Sequence, residues 1–364
     1  MADGGIFAVF AQLTDELDKR SIRAWRKADM PFETALTEAL DLRVPVVAAP
    51  LGRGSSAEFL GAVANSGCFG FTALMHMPEQ TVSDELAQRS RATNGRFGAN
   101  LTLIVDQRRR LAAALDAGVR VFSLWHGDIE PYVRIIKDAG GLVFWTLGSP
   151  DEAARAKDLG VDFIVSQGRE AGGHLVGSAP TMSLLPSIVD AAKGVPVVAA
   201  GGIADGRGLV AAMALGACGV WMGTRFVASK ESANHRGYKE RVVAARAEDL
   251  VETELFNVGW QECPHRVIRN STFSKWEKAG RPATGQRPGE GERISRFPNG
   301  QPLCRYDVAA AWDAMEGDWE ASPLYAGTTI ELIRDVKSVA EIVGDIDTTA
   351  QAALDKIADL RTVR

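Results

Sequence analysis

Cysteine is scarce. The 364 residues hold four, at 68, 218, 263 and 304, with no CxxC pair. That spacing gives neither a disulfide framework nor a thiolate metal site, and a reducing cytoplasm is the expected compartment. Long apolar runs are missing too: none approaches the ~20 residues a membrane helix needs. The opening MADGGIFAVFAQLTDELDK turns acidic too soon for a signal peptide. There is no basic excess; the formal net charge is −5. The arginine triplet at 108–110 is too short for a nucleic-acid surface and reads as a solvated helix start. The five histidines, at 76, 126, 174, 235 and 265, show no ligand spacing, so no metal is expected.

What is present is a repeating phrase. Short runs rich in Val, Ile, Phe and Ala occur at 44–50, 68–74, 97–103, 119–125, 142–147, 163–167, 196–202 and 219–224. Each has the length of a fully buried strand. Alanine-rich segments with helical spacing lie between them, at 57–64, 78–91, 108–117, 130–139, 151–159, 183–192 and 208–215. Gly67, Gly118, Gly140, Gly160, Gly194 and Gly216 follow as helix stops. Strand and helix alternating eight times is the grammar of an α/β protein with a parallel sheet, a (β/α)8 TIM barrel.

Residues 32–228 are therefore assigned to the barrel, completed by 322–364. A short helix within 32–42 should plug or abut its bottom. The periodicity breaks after the eighth strand. Segment 229–321 reads as an inserted lid on the substrate side: polar and helical over 231–250, rich in Gly, Pro and Arg over 256–305, with a short helix at 306–315. Amphipathic helices are predicted at 328–343 and 347–360, one of them the eighth barrel helix. Residues 1–31 are an extension with helical spacing over 9–27 (Phe10, Leu13, Leu17, Ile22, Trp25), ended by Pro31. It is assigned to packing on the outside or to a homodimer contact.

The chemistry gathers where the strands end. Gly201-Gly202 leads to Asp205, a good helix N-cap, and Gly223-Thr224 repeats the arrangement one strand later. Glycines let a backbone approach a ligand, and a helix start offers unpaired N–H groups to a phosphate. Two such turns on the last two strands form the phosphate cradle of this type of barrel. Glu170-Ala171-Gly172-Gly173-His174 sets an imidazole at the same mouth. His126 follows the fourth strand and is a rival that ranks second, because a lone histidine after a strand is more often a loop residue. Asn100, an amide among apolar neighbours, must be paired, either to a ligand or within the core.

The segments QGREAGGH, VPVVAAGGIADGRG and WMGT resemble the nitronate monooxygenase (2-nitropropane dioxygenase) family. Flavin-type enoyl-acyl-carrier-protein reductases look similar at the same places. VPVVAAPLG, FGANL, PHRVIRN and SPLYAG add to the likeness, which spans about 33–343 and is densest at 162–225. The resemblance implies FMN. It implies that Pro50, Leu51 and Gly52 lie against the flavin ring, with Leu51 in place of the usual Met. It also implies that Asn100 and Gln167 meet the ring or ribityl chain and that Gly172 and Gly173 give close approach. Gly201, Gly202, Trp221, Met222, Gly223 and Thr224 would hold the phosphate through backbone groups. The side chain of Trp221 could turn to the outer layer or to the interior.

The activity implied is oxidation of an alkyl nitronate, or a nitroalkane, by O2 to a carbonyl compound and nitrite. His174 would be the base or the group that orients the small-molecule substrate. An FMN-dependent NAD(P)H reductase of enoyl thioesters or quinones is the alternative enzyme. A barrel that binds a phosphorylated ligand without turnover is the alternative outside catalysis. No nucleic-acid or membrane partner is expected.

Overall fold

The computed structural model describes residues 32–75, 77–260 and 263–362. The helix expected at 9–27 and His76 lie outside the described residues. Eight parallel strands close into a barrel: β1 (Val46–Ala48), β2 (Phe69–Ala73), β3 (Gly98–Thr102), β4 (Val121–Trp125), β5 (Leu142–Leu147), β6 (Phe163–Gln167), β8 (Val197–Ala200) and β9 (Gly219–Met222). β7 (Gly173–His174) stands outside it. β9 pairs back onto β1, with Trp221 beside Val47. The predicted strands and helices fall where these elements form.

Successive side chains along a strand face opposite sides. Val47, Phe69, Phe71, Val121, Phe144, Phe163, Val165, Val198 and Trp221 therefore fill the interior, while Val46, Ala48, Phe122, Val143, Ile164, Ala199 and Met222 meet the helices outside. Phe144 stacks on Phe163 at 4.6 Å, and Phe71 lies 4.7 Å from Trp221 and 5.6 Å from Phe144. Gly98 makes room for this layer, since a Cβ there would sit 2.3 Å from the Phe71 ring. The helix Ala35–Leu40, started by a Thr34/Thr37 capping box, closes the bottom: Leu36 and Leu40 join the same interior cluster, and Leu36 abuts Gly219 at the start of β9.

Two expected helices are corrected. No helix forms over 306–315; Tyr306 has φ +73, which a helix cannot use, and Asn234 bridges to Trp312 instead. The segment 328–343 is not one helix. Thr328–Leu332 is a 3-10 turn, and an extended stretch then places Lys337 beside Ser229. The helix begins at Val339 and runs to Thr362. Its start is a capping box: the Ser338 hydroxyl accepts from Glu341 N at 3.2 Å, and the Glu341 carboxylate accepts from Ser338 N at 2.7 Å. This helix packs against Gly206–Ala214 and Ala57–Asn65 as the eighth helix of the barrel.

The inserted segment is more ordered than its composition suggests. It carries the helix Arg236–Ala244, strands β10 (Leu250–Thr253) and β11 (His265–Ile268), the helix Ser271–Lys278 and a hairpin of Arg293–Arg296 with Pro302–Cys304. β11 pairs with β10 on one side and with β7 on the other.

Candidate active site

A cavity of about 260 Å³ opens at the carboxyl ends of the strands. Its wall includes Pro50, Leu51 and Gly52 after β1, Asn100 on β3, Gln167 on β6, Gly172, Gly173 and His174, then Gly201, Gly202, Trp221, Gly223 and Thr224. These residues come from five βα units and meet only through barrel closure. Met222 is the exception among the sequence-predicted positions. Trp221 points inward, so by strand alternation Met222 points outward into the helix layer and is 1% exposed. Its carbonyl accepts from Ala49 N at 2.9 Å, within the barrel rather than toward the cavity.

Four of the groups read from the sequence also have partners within the protein. The start of the helix Gly206–Ala214 is already satisfied: Asp205 accepts from Arg207 N and Gly208 N, and Gly206 N donates to Thr349 Oγ1 at 2.9 Å. That leaves the Gly201-Gly202 turn itself, with φ of +95 and +75, and Gly223-Thr224 at the cavity wall. Gly172 is required by the protein, because a Cβ there would lie 2.3 Å from Gly327 N. Gln167 lines the cavity, but its amide also holds the loop that carries the imidazole. Its Nε2 donates to His174 O at 3.2 Å, and its Oε1 accepts from Val176 N at 2.9 Å. Asn100 likewise faces the cavity while donating to Ser123 Oγ at 3.2 Å and accepting from Thr102 Oγ1 at 3.3 Å.

His174 is the imidazole of the cavity wall among the described residues. Its ring stacks on Trp260 at 3.9 Å and 18° and touches Trp125, His265 and Tyr325 edge-on or tilted at 5.8, 5.2 and 5.3 Å. The backbone beneath it is clamped from the insertion. His174 pairs with His265 in the β7–β11 ladder, and Arg266 donates to Arg169 O at 2.6 Å and Ala171 O at 3.2 Å. His265 is fully buried; its Nδ1 donates to Cys263 O at 3.0 Å and its Nε2 accepts from Phe256 N at 3.3 Å. Both bonds suit a neutral ring, and burial pulls its pKa down to about 4. His126 does not line the cavity. It sits behind Trp125 and Trp260, 3.5 Å from the Cys263 thiol, which burial pushes up to about 12.

Trp260, Tyr325, Val308 and Arg53 also line the cavity, and sequence reasoning did not single them out. Trp260 and Val308 lie in the aperiodic insertion, where no local spacing marks a wall residue. SPLYAG did mark the neighbourhood of Tyr325: Tyr238 donates its hydroxyl to Tyr325 O, and Tyr325 donates its own to Val308 O at 2.9 Å. Gly327 N donates to Thr224 Oγ1 at 3.0 Å, so the returning chain closes over the last turn.

The parallel eight-stranded barrel, with a glycine-edged mouth and an imidazole in its wall, is a (β/α)8 barrel whose cavity lies at the carboxyl ends of its strands. The chain belongs to the nitronate monooxygenase family, whose profile matches residues 101–348. It is an oxidoreductase of a flavoprotein family. A Mycobacterium tuberculosis relative, (3aS,4S,5R,7aS)-5-hydroxy-7a-methyl-1-oxo-octahydro-1H-indene-4-carboxyl-CoA dehydrogenase, is 30% identical over 92% of this chain and 98% of its own. FabK from Thermotoga maritima superposes with a TM-score of 0.78 at 28% identity, covering 90% of this chain and 99% of that one. The nitroalkane oxidase from Streptomyces ansochromogenes gives 0.71 at 25%, covering 89% and 100%.

One of the glycine turns at the cavity leaves room for part of a flavin. At Gly223, φ is −105 and an added Cβ would meet only Ala49 Cβ, at 3.6 Å. The turn therefore has open space on the cavity side beside a helix start.

Proposed function

We propose that this protein is an FMN-dependent oxidase of alkyl nitronates and nitroalkanes. The observation that carries the reading is the placement of His174 in the wall of the cavity that the two glycine turns edge. The Gly201-Gly202 turn and Gly223-Thr224 would hold the phosphate, and Pro50 to Gly52 would flank the ring. Bound FMN supplies the electron acceptor, with O2 as terminal oxidant and the carbonyl compound and nitrite as products.

The chain's own task is proton handling and enclosure. The His174 imidazole takes the α-proton of a neutral nitroalkane, or when protonated it faces the nitronate anion. Stacking on Trp260 fixes the plane of the ring, and Gln167 fixes the backbone oxygen of the same residue. Trp125, Trp260 and Tyr325 pack around the imidazole and, with Val308, give that part of the cavity an apolar lining, which would limit water at the reacting carbon.

A second reading is redox chemistry at an acyl thioester. It is favoured by the carboxyl-CoA dehydrogenase relative, which aligns over nearly its whole length. Both substrates contain a carbon acidified by a neighbouring group, so the same imidazole serves either. The purified protein should be yellow and release FMN on denaturation. Anaerobic mixing with propyl-2-nitronate should bleach the flavin within the mixing experiment, with NADPH and a saturated acyl-CoA as parallel arms. Bleaching by acyl-CoA or NADPH and none by nitronate would replace the first reading with the second.

A further inference from the structure

Three side-chain amides line the cavity among the described residues, and two of them are used within the protein. Asn100 donates to Ser123, and Gln167 bonds the loop of His174. The third, Asn234, is 2% exposed, and its side chain makes no hydrogen bond among the described residues. A buried amide without a partner costs free energy, so a group from outside the chain is expected to meet it. Asn234 stands against the turn after β1. A Cβ on Gly54 would lie 1.9 Å from its Oδ1, and Ala233 N donates to Gly54 O at 3.1 Å. That turn, Gly52–Gly54, carries Arg53 into the same wall.

Arg53 is the permanent cation of that wall among the described residues. Its guanidinium lies 5.5 Å from the Phe297 ring and 5.4 Å from the Trp312 ring, which stack on each other at 5.6 Å and 7°. Cation–π attraction steadies a guanidinium without using its N–H groups. The nearby acids are committed elsewhere. Burial pulls the Arg53 pKa down and the charge of Glu85 opposes it, but that carboxylate is 3.3 Å from Arg89. Glu170, the carboxylate of the cavity wall, accepts from Thr181 N at 2.8 Å and from Thr181 Oγ1 at 3.1 Å. The wall beside Asn234 is therefore positive and rich in donors, which suits an anionic oxygen group. We propose that Arg53 and Asn234 form a subsite for a carboxylate or phosphate group of the substrate. β8 and β9 stand between β1 and β6 in the barrel, so that group is held apart from the loop that carries His174. The assignment rests on the reading above for taking this cavity as the substrate's.

Calorimetric titration of the full-length, flavin-loaded protein tests it with unreactive probes of one chain length: hexanoate, hexyl phosphate and the neutral hexanamide. At least one anion should bind about tenfold or more tighter than hexanamide, and the stronger of the two identifies the group. Arg53→Met should bring that ratio to near one, while Arg53→Lys keeps part of it. Asn234→Ala, which leaves the charge in place, should lower it about threefold. Unchanged flavin absorbance reports an intact barrel in each variant; if Arg53→Met does not hold flavin, Asn234→Ala decides alone. Equal binding of all three probes to the native protein would overturn the subsite, and so would a preference that these variants leave intact. Calorimetry reads binding without turnover. A protein that prefers the anion through Arg53 but never oxidises a nitronate keeps the subsite and loses the proposed activity, and the opposite result does the reverse.

Discussion

His174 owes its place to residues remote in sequence. Gly173 has φ +78 and turns the chain, His265 pairs with it across a two-residue ladder, and Trp260 sets its plane. His174→Ala should leave flavin bound but lower turnover of a neutral nitroalkane by about 100-fold or more. Preformed nitronate should lose much less, so the ratio of the two rates is the measurement. Equal losses would remove the base role. Gly223→Asp should place a carboxylate in the proposed phosphate turn without the strain that Gly202, at φ +75, would add. It should purify folded and colourless, while Gly223→Ala stays yellow; a yellow Gly223→Asp protein would move the phosphate elsewhere.

His265 makes a prediction about pH. Its folded pKa, about 4, lies below the ordinary 6.5, so between those values the unfolded chain binds the extra proton. Stability is fully present above pH 6.5 and is lost as pH falls toward 4, by on the order of 3 kcal/mol. Urea midpoints at pH 7 and pH 5 should differ more in the native protein than in His265→Gln.

At the scale of elements, the barrel strands were legible because each is apolar, short and stopped by glycine, and helices of similar length separate them. The two glycine turns were legible for the same reason: they follow strands whose number in the series could be counted. Period two also determines which way Trp221 and Met222 face, but only once the inward register is known, and the register comes from pairing. Trp221 then proves to be part of the cavity floor, against Phe71 and Phe144. Trp221→Ala should cost about 3–5 kcal/mol of stability and weaken flavin binding by lowering that floor, read as a lower urea midpoint and faster flavin loss. The insertion was not legible in detail. β7 and β11 pair residues 174 and 265, and nothing in either local sequence names the other.

For the whole molecule, barrel, insertion and returning chain share one site. Thr224 holds Gly327, Tyr238 holds Tyr325, and Arg266 holds the 169–171 loop. A ligand that binds this junction stabilises all three together. FMN at a hundred times its dissociation constant should add about 2.7 kcal/mol and raise a single thermal transition. Riboflavin, which lacks the phosphate, should raise it much less. Equal shifts would argue against a phosphate contact, and two separate transitions would show that the insertion unfolds on its own.

The amino-acid order alone determined the count of barrel strands, the parallel closed sheet, the glycine turns and the histidine that follows two glycines. Those are local properties, written in spacing of two, spacing of 3.6 and the backbone freedom of glycine. Tertiary structure alone decided which wall residues the insertion supplies, that Thr349 takes a donor of one helix start, and that Gly172 makes room for Gly327 of the returning chain. Those depend on contacts between positions far apart in the chain, and burial and hydrogen-bond satisfaction can be settled only when the distant partner is in place.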